Sequence, residues 1–456
     1  MQNITIRRRD FLAGLLAPPL LGTSSGNTGR NDSPSPVRSP AKYNPVRLGL
    51  IGYGCRGAEL VQILRKAESN VEVLGISEVF DQRMEKGLAT ADPGARGYKN
   101  YRDLLEADDI DAVIIATPDH WHAQMAKDAA KRGKHIYLET CMACSVEEAI
   151  ALRSAVKSSG VVFQLGHQGR QRDLNLKARE LVGDDILGRI TLIEATTNRN
   201  DARDGWNIVE GEQASNKTID WELFQGPCKE RHPFSIERYY GWRNYRAYGN
   251  GMAGELLTNE FDMVNSIMDL GIPESAVASG GLYDHADGRE VPDLFQAALE
   301  YPARSLTLLY SGTLTNGIPR GTLFMGRDAT MELGRILSVW ADKSSIRYRS
   351  RIEAGILDPS TPIVNYTKDQ DQVDAISSAT SKYYADRGLV LTYREGKQLD
   401  TTGLHLAEWL NCIQSDRLPS CPVDRGFEEA VTASMATISY REGRRVRWDP
   451  DEEKII

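Results

Sequence analysis

The feature that most constrains this chain is a short apolar run, Val46-Arg47-Leu48-Gly49-Leu50-Ile51, that stops at Gly52-Tyr53-Gly54-Cys55-Arg56-Gly57 and continues helically from Ala58 to Lys66. A strand that turns through G-x-G-x-x-G into a helix is the context a dinucleotide fingerprint requires. Gly52 permits the tight turn, Gly54 lets the backbone approach a pyrophosphate, and Gly57 lets the helix lie close to the strand. The anion then rests at a helix N-terminus, where free N–H groups and the macrodipole favour negative charge.

A second apolar run, Val71 to Ser77, ends at Glu78, about twenty residues past the last glycine, where a carboxylate holds the adenosine ribose hydroxyls. A carboxylate there repels a 2′-phosphate, so NAD is favoured over NADP, although Arg83 keeps NADP open. The alternation continues through a helix starting at Tyr101, a strand Ala112–Ala116, a helix Ala123–Lys131, a strand His135–Leu138, a helix Val146–Ser158 and a strand Val161–Leu165. Apolar strands alternating with amphipathic helices imply a doubly wound parallel sheet, hence an α/β fold.

The 456 residues exceed what one core usually supports, which points to two domains. With 63 acidic against 55 basic side chains the net charge is −8, which disfavours a nucleic-acid partner and favours a small-molecule substrate. Six scattered cysteines are no disulfide framework. Cys141-Met142-Ala143-Cys144 has metal or redox spacing, but no second Cys/His pair is suitably placed, so no metal is expected.

Residues 1–22 read as an export signal: Arg7-Arg8-Arg9-Asp10-Phe11-Leu12 precedes a short apolar stretch, and Arg8-Arg9-x-Phe11-Leu12 resembles a twin-arginine signal. The apolar stretch is too short for a stable membrane span, and no clear cleavage site follows it. The chain is therefore expected outside the cytoplasm, in the periplasm or held at the membrane by an uncleaved signal. Residues 23–45, rich in Ser, Asn, Gly and Pro, read as a flexible linker. The nucleotide domain is assigned to residues 46–168 and a substrate domain to 169–456, whose C-terminal helices can pack back on the first.

Ala116-Thr117-Pro118-Asp119-His120-Trp121-His122 and Gly133-Lys134-His135-Ile136-Tyr137-Leu138-Glu139 resemble the Gfo/Idh/MocA oxidoreductase family. So do Gly188-Arg189-Ile190, Asp220 to Pro227, Leu406 to Cys412 and Ile438 to Pro450. The resemblance implies a Rossmann domain followed by an α+β domain with an open, mainly antiparallel sheet. It also implies a sugar, glycoside or cyclitol substrate, and a homo-oligomer joined through the open sheet face. Thr117, Pro118 and His122 would border the nicotinamide, and Glu139, followed by Thr140, would contact its ribose. For His122 the plainer alternative is a histidine satisfied by backbone groups; Trp121 is packing.

Two departures stand out. Most members follow the strand-end Glu with Lys-Pro; here Glu139 is followed by Thr140-Cys141. In Gly249 to Asp262 the acid is Glu255 and the final Asp is Asp262, but the usual His position holds Asn259. The proton-handling pair is therefore missing, and hydride transfer still needs a group that takes the alcohol proton. Candidates are Glu260, His167, Asp262 and a tyrosine such as Tyr240 or Tyr245, with Glu260 and His167 preferred. Arg170, Arg199 and Arg243, with Asn259 and Tyr240, are candidates for holding substrate. The first functional expectation is an NAD(P)-dependent sugar oxidoreductase. The alternative is a family 109-type glycosidase or keto-sugar lyase, in which transient oxidation permits elimination, water adds, and the hydride returns. A nucleotide-binding protein without catalysis is the third.

Overall fold

Six strands, β1 (Val46–Ile51), β2 (Val71–Ser77), β3 (Arg96–Tyr98), β4 (Ala112–Ile115), β5 (His135–Leu138) and β6 (Phe163–Leu165), form one parallel sheet in the order β3-β2-β1-β4-β5-β6. The computed structural model describes residues 45–66, 70–200, 212–366, 391–394 and 397–456. All four residues of β4 are buried, as a strand covered on both faces requires. The strand order reverses between β1 and β4, the switch point outside whose carboxyl ends such sheets take ligands. The expected signal (residues 1–22) and linker (residues 23–45) lie outside the described residues, Pro45 excepted.

The glycine turn is a packing necessity. Gly52 has φ +92°, and a Cβ there would stand 2.6 Å from the Ala116 carbonyl oxygen. A Cβ on Gly57 would stand 2.0 Å from the Gly52 carbonyl oxygen, so the helix Cys55–Lys66 leaves the turn at a distance only a hydrogen allows.

The helix expected from Ala123 begins earlier, at Asp119, because Pro118 at its N-cap already has the required extended backbone and Asp119 suits the positive end of the macrodipole. The strand expected from Val161 forms only over Phe163–Leu165.

The second sheet is built from β7 (Ile190–Asn198), β8 (Ser275–Gly281), β9 (Leu294–Tyr301), β10 (Leu306–Thr313), β11 (Thr322–Gly326), β12 (Ala329–Leu333), β13 (Leu337–Ala341) and β14 (Val364–Tyr366). A hairpin of β15 (Leu391–Arg394) and β16 (Lys397–Asp400) stands apart, and β17 (Val446–Asp449) with β18 (Lys454–Ile455) completes the edge of the sheet. Its order is β14-β13-β12-β11-β7-β10-β9-β8-β17-β18; only β7 and β10 pair parallel. Burial alternates along β10, so one face is covered and the other open. The helices Thr258–Met268 and Val423–Glu442 pack on the covered face.

The two halves share more than a boundary. Leu406, Trp409, Leu410 and Ile413 of the helix Thr401–Ser415 join Leu60, Val61, Ile63 and Leu64 in one core. The segment 212–248 lies against the nucleotide domain from the other side, where Phe80 bridges Ile219 and packs with Phe224, Tyr239 and Tyr248. His120 and Trp121 both reach the Phe224 carbonyl, each at 2.9 Å, so Trp121 is packing as expected.

Gly57→Ala is expected to lower stability by about 3 kcal/mol, because its Cβ meets rigid backbone. Gly183→Ala, at a helix end with nothing within 4 Å, should instead stabilise by ~0.5 kcal/mol. Urea-unfolding midpoints of the two variants check the contrast; equal midpoints would refute it.

Candidate active site

At the adenosine end, Glu78 is buried with its carboxylate against the glycine turn. It accepts the Tyr53 N–H at 2.8 Å, the Val79 N–H at 2.8 Å and the Phe80 N–H at 3.0 Å. Arg83 forms a two-oxygen ion pair with Glu212, which also accepts the Tyr240 hydroxyl at 2.9 Å and lies 3.7 Å from the Lys86 ammonium. Tyr240 therefore stands with Arg83 beside the nucleotide turn, not with the proposed substrate residues. Glu212 gives no sequence signal: it reaches Arg83 from 129 positions away. A Cβ on Gly54 would meet only Arg83 Nη1, at 3.5 Å, so the outer side of the turn is open for a pyrophosphate to approach the backbone. The turn, the free N-terminus from Cys55 and Glu78 thus fit a dinucleotide.

At the carboxyl ends of β4 and β5, Arg56 Nε pairs with Glu139 Oε1 at 3.0 Å and Arg56 Nη1 with Glu59 at 2.9 Å. This places Arg56 and Glu139 together at the switch point. Thr117 and Pro118 open the helix Asp119–Lys131, with the Thr117 hydroxyl directed at Met125 Sδ. His122 takes the plainer of its two readings: it is buried, with Nδ1 2.7 Å from the Cys141 carbonyl and Nε2 2.8 Å from that of Thr117. Burial pushes its pKa down and the two carbonyls push it up, with burial winning; the ring lies between the ends of β4 and β5, and in its neutral form only one of its nitrogens can donate. Thr140 and Cys141, at the Lys-Pro position, are joined by a cis peptide.

Facing these loops, a π-helical turn Ala253–Leu257 leads into the helix Thr258–Met268. Glu255 pairs with Arg243 at 2.9 Å, and Arg243 also lies over the Trp242 ring. Asn259 is exposed, held by its own Nδ2–H donating to the Glu255 carbonyl at 2.8 Å. Tyr245 packs beneath the Arg238 guanidinium.

His167, Asp262 and Arg170 come together in a cluster that the sequence reading misassigned. Arg170 Nε and Nη2 donate to Asp262 at 2.6–3.0 Å, and its Nη1 donates to the Ser420 carbonyl at 2.6 Å. His167 is hydrogen-bonded through Nε2 to Glu429 and faces Asp262 through Nδ1 at 3.8 Å. Burial alone would raise the pKa of Asp262, but Arg170 and His167 outweigh it and hold the carboxyl below its usual range. Burial alone would likewise deprotonate His167, but Asp262 and Glu429 outweigh it and raise its pKa. A proton-bearing His167 is a donor, and an Asp262 committed to Arg170 is a poor proton acceptor. Neither suits a general base, and Arg170 is already engaged by Asp262 and the Ser420 carbonyl. Glu429 was not foreseen; the Glu428-Glu429 pair in the helix Val423–Glu442 gives no motif.

Glu260 is different. It sits partly buried beside β7, where the Thr197 hydroxyl approaches its Oε1 at 3.4 Å. Burial pushes its pKa up to about 7, opposed by Arg172, the Thr197 hydroxyl and the exposed Arg199. A carboxyl titrating there can exchange a proton at neutral pH.

This geometry agrees with comparison to known proteins. Residues 46–167 match the NAD-binding Rossmann domain, and residues 225–447 the C-terminal alpha/beta domain, of the GFO_IDH_MocA oxidoreductase family. The chain belongs to the Gfo/Idh/MocA family. Among curated relatives, an alpha-N-acetylgalactosaminidase from Shewanella oneidensis is 31% identical over 243 residues, covering 48% of this chain and 50% of that protein. A glycosyl hydrolase family 109 protein from Shewanella woodyi is 38% identical over 114 residues, 24% of each chain. The chain thus spans half or less of these two relatives. Among solved structures, the WlbA dehydrogenase from Bordetella pertussis, in complex with NADH and UDP-GlcNAcA, superposes with TM-score 0.64 at 18% identity, covering 90% of this chain and 99% of that one. A levoglucosan dehydrogenase in complex with NADH gives TM-score 0.64 at 17% identity, over 88% and 98%. These likenesses establish the fold.

Arg170→Leu should cost ~3–5 kcal/mol in urea unfolding, because it strands Asp262 as a buried unpaired charge. Unchanged stability with a raised KM would return Arg170 to substrate binding.

Proposed function

We propose that the chain is an NAD-dependent enzyme that oxidises a ring carbon of a sugar or glycoside, with Glu260 taking the hydroxyl proton. The observation that carries this reading is Glu260 itself: a carboxyl with a pKa near 7, on the helix whose preceding residue, Asn259, is exposed where the family's histidine stands. When bound, the nicotinamide supplies the hydride acceptor. The chain's own residues do the rest. Gly52 to Gly57 and the N-terminus of the following helix hold the pyrophosphate, and Glu78 the adenosine ribose. Arg56 and Glu139 hold each other at the nicotinamide end. Asn259 and Arg199 are placed to orient sugar hydroxyls. NAD is favoured over NADP because Glu212 pairs with both Arg83 and Lys86, cations that could have met a 2′-phosphate, and Glu78 adds a second carboxylate.

The Thr140-Cys141 and Asn259 replacements favour a second reading, in which the oxidation is transient and the net reaction is cleavage of a glycoside, as the names of the two Shewanella relatives suggest. Export through the twin-arginine signature at Arg8-Arg9 and self-association through the open sheet face, where Val277 and Leu309 are exposed, belong to the same proposal.

Denaturing the purified protein should release NAD(H); neither release nor binding of added nucleotide would refute both readings. With a panel of glycosides, accumulation of NADH marks the dehydrogenase, whereas repeated release of free sugar without NADH marks the glycosidase. Because Glu260 works as the ionised base, kcat/KM should fall as pH drops below about 7. Glu260→Gln should lower turnover ~10²-fold and erase that limb; an unaltered profile removes Glu260 from the mechanism.

A further inference from the structure

One buried carboxylate is left without an ordinary partner. Asp119, the first residue of its helix, is 1% exposed; the Cys141 thiol and the Asn250 N–H face its carboxyl, but neither makes a hydrogen bond of normal geometry to it. Its charged neighbours are Glu255, a second acid, and Arg243, which is already paired with Glu255 at 2.9 Å. A carboxyl beside another acid, out of water, keeps its proton, as burial and Glu255 both favour here, unless a cation replaces that proton.

Two thiols complete the arrangement. The Asp119 carboxylate, Cys141 Sγ and Cys144 Sγ all lie within 4.8 Å of one another. In a tetrahedral site with ~2.3 Å metal–sulfur and ~2.0 Å metal–oxygen bonds, donors stand a little under 4 Å apart, so small side-chain rotations close the gap. The backbone around the thiols is fixed in advance. Glu148 accepts the Cys144 N–H at 2.9 Å, Ser145 caps the next helix through the Glu148 N–H, and the His122 ring holds the Cys141 carbonyl at 2.7 Å. Cys141 is buried and Cys144 partly exposed, which leaves a way in from solvent. The search for a second Cys/His pair passes over the site because its third donor is an aspartate 22 positions upstream of Cys141, brought close by the adjacent ends of β4 and β5.

We propose that Asp119, Cys141 and Cys144 bind a zinc-class divalent cation. Two thiolates and a carboxylate suit zinc, while calcium and magnesium prefer all-oxygen shells. Binding displaces both thiol protons and the Asp119 proton to solvent and needs no oxidant. Three protein donors leave the fourth tetrahedral position to water or a substrate oxygen, beside Glu255. The site stands on these three residues alone; only its use as a Lewis acid toward a sugar hydroxyl rests on the proposed function.

The test uses the full-length protein, expressed with zinc and purified under reducing conditions without chelator. Elemental analysis should find zinc at one per chain after dialysis, and the metal-stripped protein should take up Co(II) with the visible absorption and thiolate charge-transfer band of a tetrahedral thiolate site. Asp119→Asn and Cys144→Ser should each lose stoichiometric zinc while retaining nucleotide, which separates this site from the nucleotide reading. Should either variant fail to fold, the Co(II) spectrum of the unaltered protein decides alone. Absence of zinc with no Co(II) band, or a Cys141–Cys144 disulfide found by mass spectrometry in freshly purified protein, would overturn the proposal.

Discussion

The active-site face of this protein depends on one buried contact, the pairing of Arg170 with Asp262. Arg170 lies just past the last strand of the nucleotide sheet, and Asp262 lies on the helix that carries Asn259 and Glu260 and follows the turn bearing Glu255. Three N–H···O contacts between two groups withdrawn from water hold that helix to the nucleotide half. His167 and Glu429 extend the contact to the helix Val423–Glu442, so four charged or titratable residues from three segments share one network. Charges this deep are tolerated only as a set, since removing any one leaves another unpaired. The network therefore fixes geometry, and the residues around its rim are left free for chemistry.

Much of this was legible in the sequence because it is local. The glycine turn, the carboxylate at Glu78 and the alternation of apolar strands with amphipathic helices are all written within stretches of about thirty residues, and each was found in place. The open, mainly antiparallel second sheet followed from family resemblance, since its strands are too irregularly spaced to order by pattern. Legibility failed where partners are distant. Nothing near His167 announces Glu429, 262 positions on, and without that partner a histidine in Gly166-His167-Gln168 reads as a free base. Tyr240 was set among substrate residues for the same reason: its partner Glu212 and neighbour Arg83 come from different halves of the chain.

The two family departures have different physical outcomes. The replacement at Asn259 leaves an exposed amide that can orient a hydroxyl but cannot take its proton, while its neighbour Glu260 has the polarity and burial to do so. The replacement at Thr140-Cys141 removes a cation from a region where Glu139, Glu255 and Asp119 remain. One lost positive charge thus leaves the rim of the site markedly acidic, with Arg56 and Arg243 each already bound to a carboxylate.

The segment 212–248 gives the nucleotide domain a character that it would not have alone. Through the Phe80–Ile219 bridge it brings Glu212 onto Arg83, and the Arg83 guanidinium is the nearest group to the outer side of Gly54. Transplanting residues 46–168 into another protein would keep the fingerprint and Glu78 intact yet remove the carboxylate that neutralises Arg83, leaving an unpaired cation beside Glu78. On the proposed NAD reading, nucleotide preference belongs to the interface between the halves, and a chimera that respects the domain boundary would still cut through it.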